Sequence, residues 1–488
     1  MNYIDCIKDN LNRVTTENGD GANSSTGSSC LDFYSLIGGL RYNYKEIVNV
    51  FIRAFYEDKI KAIKILFYAR DIRGGLGERN SFRMILNFLG NFYPEIAKQL
   101  ILYIPEYGRY DDLYSLFNTT VAIDVLDFIK EQLEIDIKLN SQGQTISLLS
   151  KWLPSINTSN EDARLMARII AKHLNLSHKD YRKTLSTLRK GRIIENNLRE
   201  KDYTFDYNRV PSQAMNKYYN AFLRNDEERY IKYLADVELG RARINTDTLF
   251  PYQIIQPIFK DTTLDKNQRI AINTTWNSLK RFNTDRKSIV VLDGSGSMYH
   301  DNSKSPICIA TSLAIYFAEI LPTPFKNNFI TFSSRPKLVT LPDGDIYDKV
   351  IAAISHNEVA NTNISRVYNL LLKIATENKI SQVDMIDQVI IISDMEFDEC
   401  AEGFNSFEKI KKTFTQAGYV MPELVFWNVE ARNIHSPVTI NEKNVKLVSG
   451  SSTKIFEMVL SQNVIPITPY EFMEETLTRY QEFDKIII

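Results

Sequence analysis

The stretch "SIVVLDGSGSMYH" at residues 288–300 sets one carboxylate, Asp293, and two hydroxyls, Ser295 and Ser297, at alternate positions behind an apolar run. Glycines 294 and 296 let the backbone turn tightly, so both hydroxyls can face one point. A phosphate loop would continue with Gly-Lys-Ser/Thr, and this stretch does not. A nucleophile elbow needs G-x-S-x-G, which "GSGSM" does not supply, and none of the five histidines sits in a motif that marks it as a base. A hard-cation site needs further oxygen ligands from other strand ends. Thr362, in "VANTNISRVYNLLL", precedes a helical stretch, and Asp394 follows the run "VIIIS". Two carboxylates and three hydroxyls make an oxygen cage suited to Mg²⁺, or to another divalent cation such as Mn²⁺ or Ca²⁺. Read alone, the same stretch is a Gly/Ser-rich strand-to-helix turn with Asp293 as its cap.

The surrounding elements decide whether these groups can meet. After about residue 285, short Ile/Val-rich runs at 289–292, 329–332, 389–392, 424–429 and 445–448 alternate with helical stretches near 306–321, 364–378, 403–417 and 453–461. That alternation predicts an open, mostly parallel sheet, which binds ligands at the carboxyl ends of its strands. From about 31 to 240 the periodicity is helical instead. Ile47, Val48, Phe51, Ile52 and Phe55 fall on one helix face, 121–139 is a further amphipathic stretch, and Asn160 stands where a helix cap belongs. Successive amphipathic hairpins predict a HEAT-like array. The first 29 residues contain "TTENGDGANSSTGSS", small and polar without period, and read as a flexible or extended arm.

Two stretches of the helical half carry unusual charge. "LFYARDIRGGLGERNSFRMIL" (66–86) runs a helix into Arg70, Asp71, Arg73, three glycines, Glu78 and Arg79. As a helix corner its charges pair with one another; as a binding surface Arg70, Arg73 and Arg79 would face phosphate. Residues 179–201 hold eight Lys/Arg against three Asp/Glu. Lys179, Arg182, Lys183, Arg189, Lys190 and Arg192 form the core of this excess, mostly on one helical face. The stripe is either a solvated face or a phosphate-neutralising one whose binding is salt-sensitive. Tyr181 is a candidate for base stacking, and so is the pair Lys151–Trp152, although Trp152 equally reads as a core anchor before Pro154.

Here the sequence resembles known families. Segment 285–465 is similar to a von Willebrand factor type A (vWA) domain with a metal-ion-dependent adhesion site (MIDAS). Asp293, Ser295 and Ser297 match its D-x-S-x-S, Thr362 its threonine and Asp394 its later aspartate. The resemblance implies a divalent ion held directly or through water, with one position open to an acidic group of a protein partner. The chain departs from the pattern at Met395, where many relatives have Gly, and at Asn361 and Asn363, which flank Thr362. The N-terminal half resembles the TROVE module of the Ro ribonucleoprotein, in which helical repeats form a ring that closes on a vWA domain. It is still more similar to a poorly characterised group with the same layout in microbes, viruses and plants. "CLDFYSLIGGLR" (30–41), "IPEYGRYDDLYSLF" (104–117), "LLSKWLPSINTS" (148–159), "YRKTLSTLRK" (181–190), "VPSQAMNKYYNAFLRND" (210–226) and "MPELVFWNVEAR" (421–432) carry this likeness.

With 488 residues and a formal net charge of −1, the chain suits several domains and has no global bias toward nucleic acid or membrane. Four scattered cysteines argue against disulfides or zinc, and with no signal sequence or spanning segment a cytoplasmic protein is expected. The expected architecture is α plus α/β. A flexible arm (1–29) leads to a TROVE-like, HEAT-like ring or arc (30–284), a vWA domain with a Rossmann-like open sheet (285–465), and a C-terminal helix or tail (466–488) that docks back on the helices. The expected function is non-catalytic: a monomeric, Ro-like scaffold that holds small non-coding or misfolded RNA and recruits a protein partner through the metal site. The alternative is a protein-only assembly or adaptor factor whose metal site grips an acidic residue of its partner.

Overall fold

The computed structural model describes residues 7, 10–41, 43–261, 263–299, 305–333, 335–356, 364–397, 406–461 and 466–487. The Ile/Val-rich runs of the C-terminal half become strands β3 (Ser288–Asp293), β4 (Asn328–Phe332), β6 (Gln388–Ser393), β7 (Glu423–Asn428) and β8 (Val445–Ser449), all parallel to their neighbours. A short edge strand, β5 (Leu338–Thr340), pairs antiparallel with β4. The order β5-β4-β3-β6-β7-β8 means that the chain runs outward from β3 in one direction and then restarts at β6 in the other. β3, β6, β7 and β8 are buried along their whole length, because helices cover both faces of a parallel sheet. The helix Pro306–Ile320 is apolar nearly all round, since it lies between β3 and the helix Pro251–Lys260 of the N-terminal half. Phe317 from this helix, Trp427 from β7 and Phe456 form one aromatic cluster, with Phe456 3.8 Å from Phe317 and 4.9 Å from Trp427 between ring centroids.

The N-terminal half is a succession of helices, each packed on its sequence neighbours. Tyr44–Glu57 buries Ile47, Phe51 and Phe55 of its predicted face, Lys59–Arg70 and Asn80–Phe92 pack beside it, and Asn160 caps Glu161–His173 by accepting from the Ala163 N–H at 2.8 Å. Both ends of this half rest on the sheet half. At its start, helix Ser29–Leu36 runs into Gly38 and Gly39, which lie against Gly450 and Ala431. A Cβ on Gly38 would sit 2.7 Å from the Gly450 nitrogen, and one on Gly39 would sit 2.9 Å from the Ala431 nitrogen. At its end, Phe250 packs on the Gly77 corner, and Pro251–Lys260 packs on Pro306–Ile320. The C-terminal segment, helix Pro469–Leu477 and the turns to Lys485, returns to the Lys59–Arg70 helix. There Phe483 stacks on Phe67, Tyr34 meets Thr476 at 3.0 Å and Lys61 pairs with Glu474 at 2.7 Å.

Residues 10–28 correct the expectation of a flexible arm. Strands β1 (Arg13–Thr15) and β2 (Gly21–Asn23) form an antiparallel hairpin seated on the sheet half. Asn23 exchanges backbone hydrogen bonds with Ser436, and the Ile440 N–H donates to Thr26 at 2.7 Å. The segment lacks apolar periodicity because its docking is made by backbone and small polar groups, which leave no hydrophobic pattern. No described helix is long and apolar enough to cross a membrane. Cys30 and Cys308 are free and buried.

Candidate functional site

β3 and β6 are adjacent strands at the point where the chain reverses its direction across the sheet, the position at which open sheets of this kind bind ligands beyond the carboxyl ends of their strands. Asp293 ends β3 and Asp394 follows β6 directly. Both are buried, at 1% and 3% exposure. Asp293 accepts from the Ser295 N–H at 2.9 Å and from the Ser393 hydroxyl at 2.6 Å. The Ser295 and Ser297 hydroxyls are 2.9 Å apart and half-buried, so the glycine-spaced turn does gather them. Burial, and then the Asp394 carboxylate, push the Asp293 carboxyl up to about 7. Thr362 lies outside the described residues. Met395 has φ +66°, which explains why glycine suits this position. A left-handed non-glycine residue costs about 1–2 kcal/mol, and here the side chain is buried in compensation.

Three groups at this site were not singled out from sequence. Ser393 bridges the motif to β6: it donates to Asp293 and accepts from the Met395 N–H at 3.0 Å. Arg432, from "MPELVFWNVEAR", holds Asp394 Oδ2 at 3.2 Å with one Nη and Glu17 of the N-terminal hairpin at 2.9 Å with the other. Glu396, 2% exposed, accepts from the Glu17 N–H at 3.0 Å and from Asn433 at 2.9 Å, while Asn18 donates to its carbonyl at 2.7 Å. A charged residue soon after an apolar run was the only sequence signal for Arg432. Glu17 had none.

The donors fit a small hard cation. Two carboxylates are buried side by side, hydroxyls converge beside them, and Arg432 is the one cation paired with either acid among the described residues. Among the described residues no cluster of three or more His, Cys, Asp or Glu could hold a metal ion, so any cation here would rely on the hydroxyls as well as the two carboxylates.

The basic stretches divide once placed. Lys179, Arg182, Lys183, Lys190 and Arg192 are exposed. Arg189 is not part of that surface. It donates to the Ser150 carbonyl at 2.7 Å, the Leu153 carbonyl at 2.5 Å and the Ser155 hydroxyl at 3.0 Å, clamping the 150–155 segment to the helix His178–Arg189. Lys190 leaves the helical stripe because the helix ends at Arg189 and Gly191 turns left-handed. Tyr181 is buried with its hydroxyl on the Pro154 carbonyl at 3.0 Å, so base stacking is closed to it. Arg70 is buried against Asp112 at 2.8 Å and likewise leaves the candidate surface. Arg73 is exposed and donates to the Glu106 carbonyl at 2.8 Å; Arg79 is exposed. Trp152 is half-buried, with the Arg109 guanidinium 4.0 Å and the Lys151 ammonium 5.5 Å from its ring centroid.

Comparison with known proteins finds two family models, both described as domains of unknown function. DUF2828 matches residues 16–102 and 175–285, and DUF7788 matches 287–484. An uncharacterized protein, L728, of Acanthamoeba polyphaga mimivirus is 28% identical over 509 aligned positions, covering 95% of this chain and 87% of the viral one. Among solved structures, the Ro (RSR) protein of Deinococcus radiodurans aligns over 91% of this chain and 92% of its own, at a TM-score of 0.34 and 10% identity.

Proposed function

We propose that this chain is a cytoplasmic, monomeric, non-catalytic RNA-binding scaffold of the Ro type, with a vWA-like sheet half whose metal site engages an acidic group of a protein partner. The reading starts from the sequence resemblance. The observation that carries it is that basic residues about a hundred positions apart belong to one neighbourhood. Arg189 and Tyr181 tie the basic helix to the 150–155 segment. Tyr114 donates to the Trp152 carbonyl at 2.8 Å, and Arg109 lies over the Trp152 ring. Exposed cations at 79, 179, 182, 183, 190 and 192 and the half-buried Lys151 thus lie on elements linked through the 150–155 segment, in a chain of net charge −1. Such a concentration is what phosphate neutralisation requires, and it gives affinity without reading bases.

Asp293, Ser295, Ser297, Thr362 and Asp394 would hold the ion, Mg²⁺ in the first instance, and the ion would supply an open position for a carboxylate. The absorbance ratio at 260 and 280 nm of freshly purified protein tests the RNA reading. Excess absorbance at 260 nm that ribonuclease removes supports it. No nucleic acid at any stage of purification, together with no binding of added RNA, contradicts it. The protein-only adaptor is the second reading, favoured by the buried acid pair, which needs no RNA. It predicts a partner retained in Mg²⁺ and released by chelation from ribonuclease-treated protein.

A further inference from the structure

In the corner that joins Lys59–Arg70 to Asn80–Phe92, charge is not balanced. Arg70 and Arg83 both bind Asp112, at 2.8 and 2.6 Å. Arg83 and Arg109 both bind Asp111, each at 2.7 Å. Arg79 stands beside Arg83 and Arg109 and, among the described residues, pairs with no carboxylate. Three guanidiniums therefore share two carboxylates, and Arg79 adds a fourth positive charge close by. Partial burial, and then the neighbouring Arg109 and Arg83, lower the Arg79 pKa against the opposing pull of Asp111 and Asp112. A protein that needed only a stable corner would gain nothing from this excess, since like charges held together repel.

Adjoining the excess is an aromatic surface. Arg109 stacks on Trp152 at 4.0 Å while its edge is held by Asp111, at 2.9 Å from Nε and 2.7 Å from Nη2, so the guanidinium plane is fixed. Lys151 also approaches the ring, and its ammonium has no paired carboxylate among the described residues. The Arg109 plane and the Trp152 ring thus form a stacked pair in which the Arg109 side chain is 31% exposed. A flat π-system laid over cations beside an uncompensated arginine fits a nucleotide: its base stacks on the Arg109–Trp152 pair and its phosphate meets Arg79.

We infer that Arg79, Arg109, Lys151 and Trp152 form a subsite for one unpaired nucleotide of a single-stranded RNA segment, distinct from the phosphate contacts of the His178–Arg189 helix. This rests on the RNA-binding reading and adds a base-stacking position to it. A subsite of this kind favours single-stranded over fully paired RNA, because only an unpaired base offers its face.

The test uses the full chain and a short, fluorescein-labelled single-stranded RNA of mixed sequence. Trp276 and Trp427 are buried, so quenching of protein emission by unlabelled RNA reports Trp152. Wild type should bind with tryptophan quenching. Arg79→Glu should weaken binding roughly tenfold or more, as expected when one charge-assisted hydrogen bond is removed, while Lys412→Glu on the sheet half leaves affinity unchanged. Arg79 pairs with no carboxylate among the described residues, so the variant should fold, as circular dichroism will verify. Wild-type binding with Arg79→Glu equally tight overturns the subsite and spares the RNA reading. Loss of affinity in Arg79→Glu without any tryptophan quenching in wild type overturns the stacking position. No binding by wild type overturns both.

Discussion

The strand-end site at Asp293 and Asp394 and the corner at residues 70–79 are built from the same materials, glycines among charged groups, and serve opposite ends. At the corner the fully buried charged groups each have a partner, and the arginine excess lies on its exposed side at Arg79. Arg70 meets Asp112, Glu78 meets Arg41 at 3.2 Å, and Asp71 accepts from the Tyr480 hydroxyl at 3.1 Å. Its glycines permit close approach: a Cβ on Gly75 would lie 1.9 Å from the Tyr68 carbonyl oxygen, and the Gly75 carbonyl accepts from Ser452 at 2.7 Å. The corner is therefore the junction where the helical half, the sheet half and the C-terminal segment meet. At the strand ends, of two buried carboxylates only Asp394 meets an arginine, and that arginine is itself shared with Glu17. Glycines among matched charges make a joint; glycines among unmatched ones leave chemistry to be completed by a ligand.

The comparison can be broken at either end. The largest effect is expected from Gly75→Ala, which collides with backbone and should cost more than about 4 kcal/mol, read as loss of soluble protein or a large drop in urea midpoint. Glu78→Gln leaves the buried Arg41 without its counter-charge, though still bonded to the Val429 and Gly38 carbonyls, and should cost about 3–5 kcal/mol on the same measurement. If either is tolerated with a change near zero, the corner is not the joint described. Asp293→Asn should behave differently. In metal-free protein it removes no counterion, and its amide can still accept from the Ser295 N–H, so stability should shift by less than about 1 kcal/mol. Its Mg²⁺-induced rise in melting temperature should be abolished while wild type keeps one; equal responses to Mg²⁺ would remove the metal site. Arg432→Ala gives the smallest change in stability, under about 1 kcal/mol for a partly exposed bridge. It should tighten Mg²⁺ binding by removing a competing cation from Asp394, and speed proteolysis within residues 10–28. Unchanged cleavage would mean that the hairpin is held by its backbone contacts alone.

Much of the sheet half was readable because a buried parallel strand is a continuous apolar run: 389–392 became Gln388–Ser393 and 445–448 became Val445–Ser449. β5 was not, since three residues with one inward side chain, Val339, carry no period. Asp293, Ser295 and Ser297 were legible because they are contiguous. Arg432 and Glu17 were not, being brought in from other elements by tertiary packing. The basic stripe was legible as composition but not as surface. Whether Arg189 faces phosphate or the Ser150 carbonyl depends on the 150–155 segment lying beside it, which no local pattern encodes.

RNA binding by the exposed basic face is the property on which the proposed function most directly depends. The measurement is an anisotropy titration of single-stranded RNA at low and at higher salt, with wild type and with Lys179→Ala/Arg182→Ala/Lys183→Ala. The account predicts that wild-type affinity falls steeply with salt. The triple variant should bind more weakly, with a log–log slope shallower by roughly two, about 0.7 for each phosphate that is no longer neutralised. A wild type that binds no RNA at the lower salt, or a triple variant with the same affinity and slope as wild type, contradicts it.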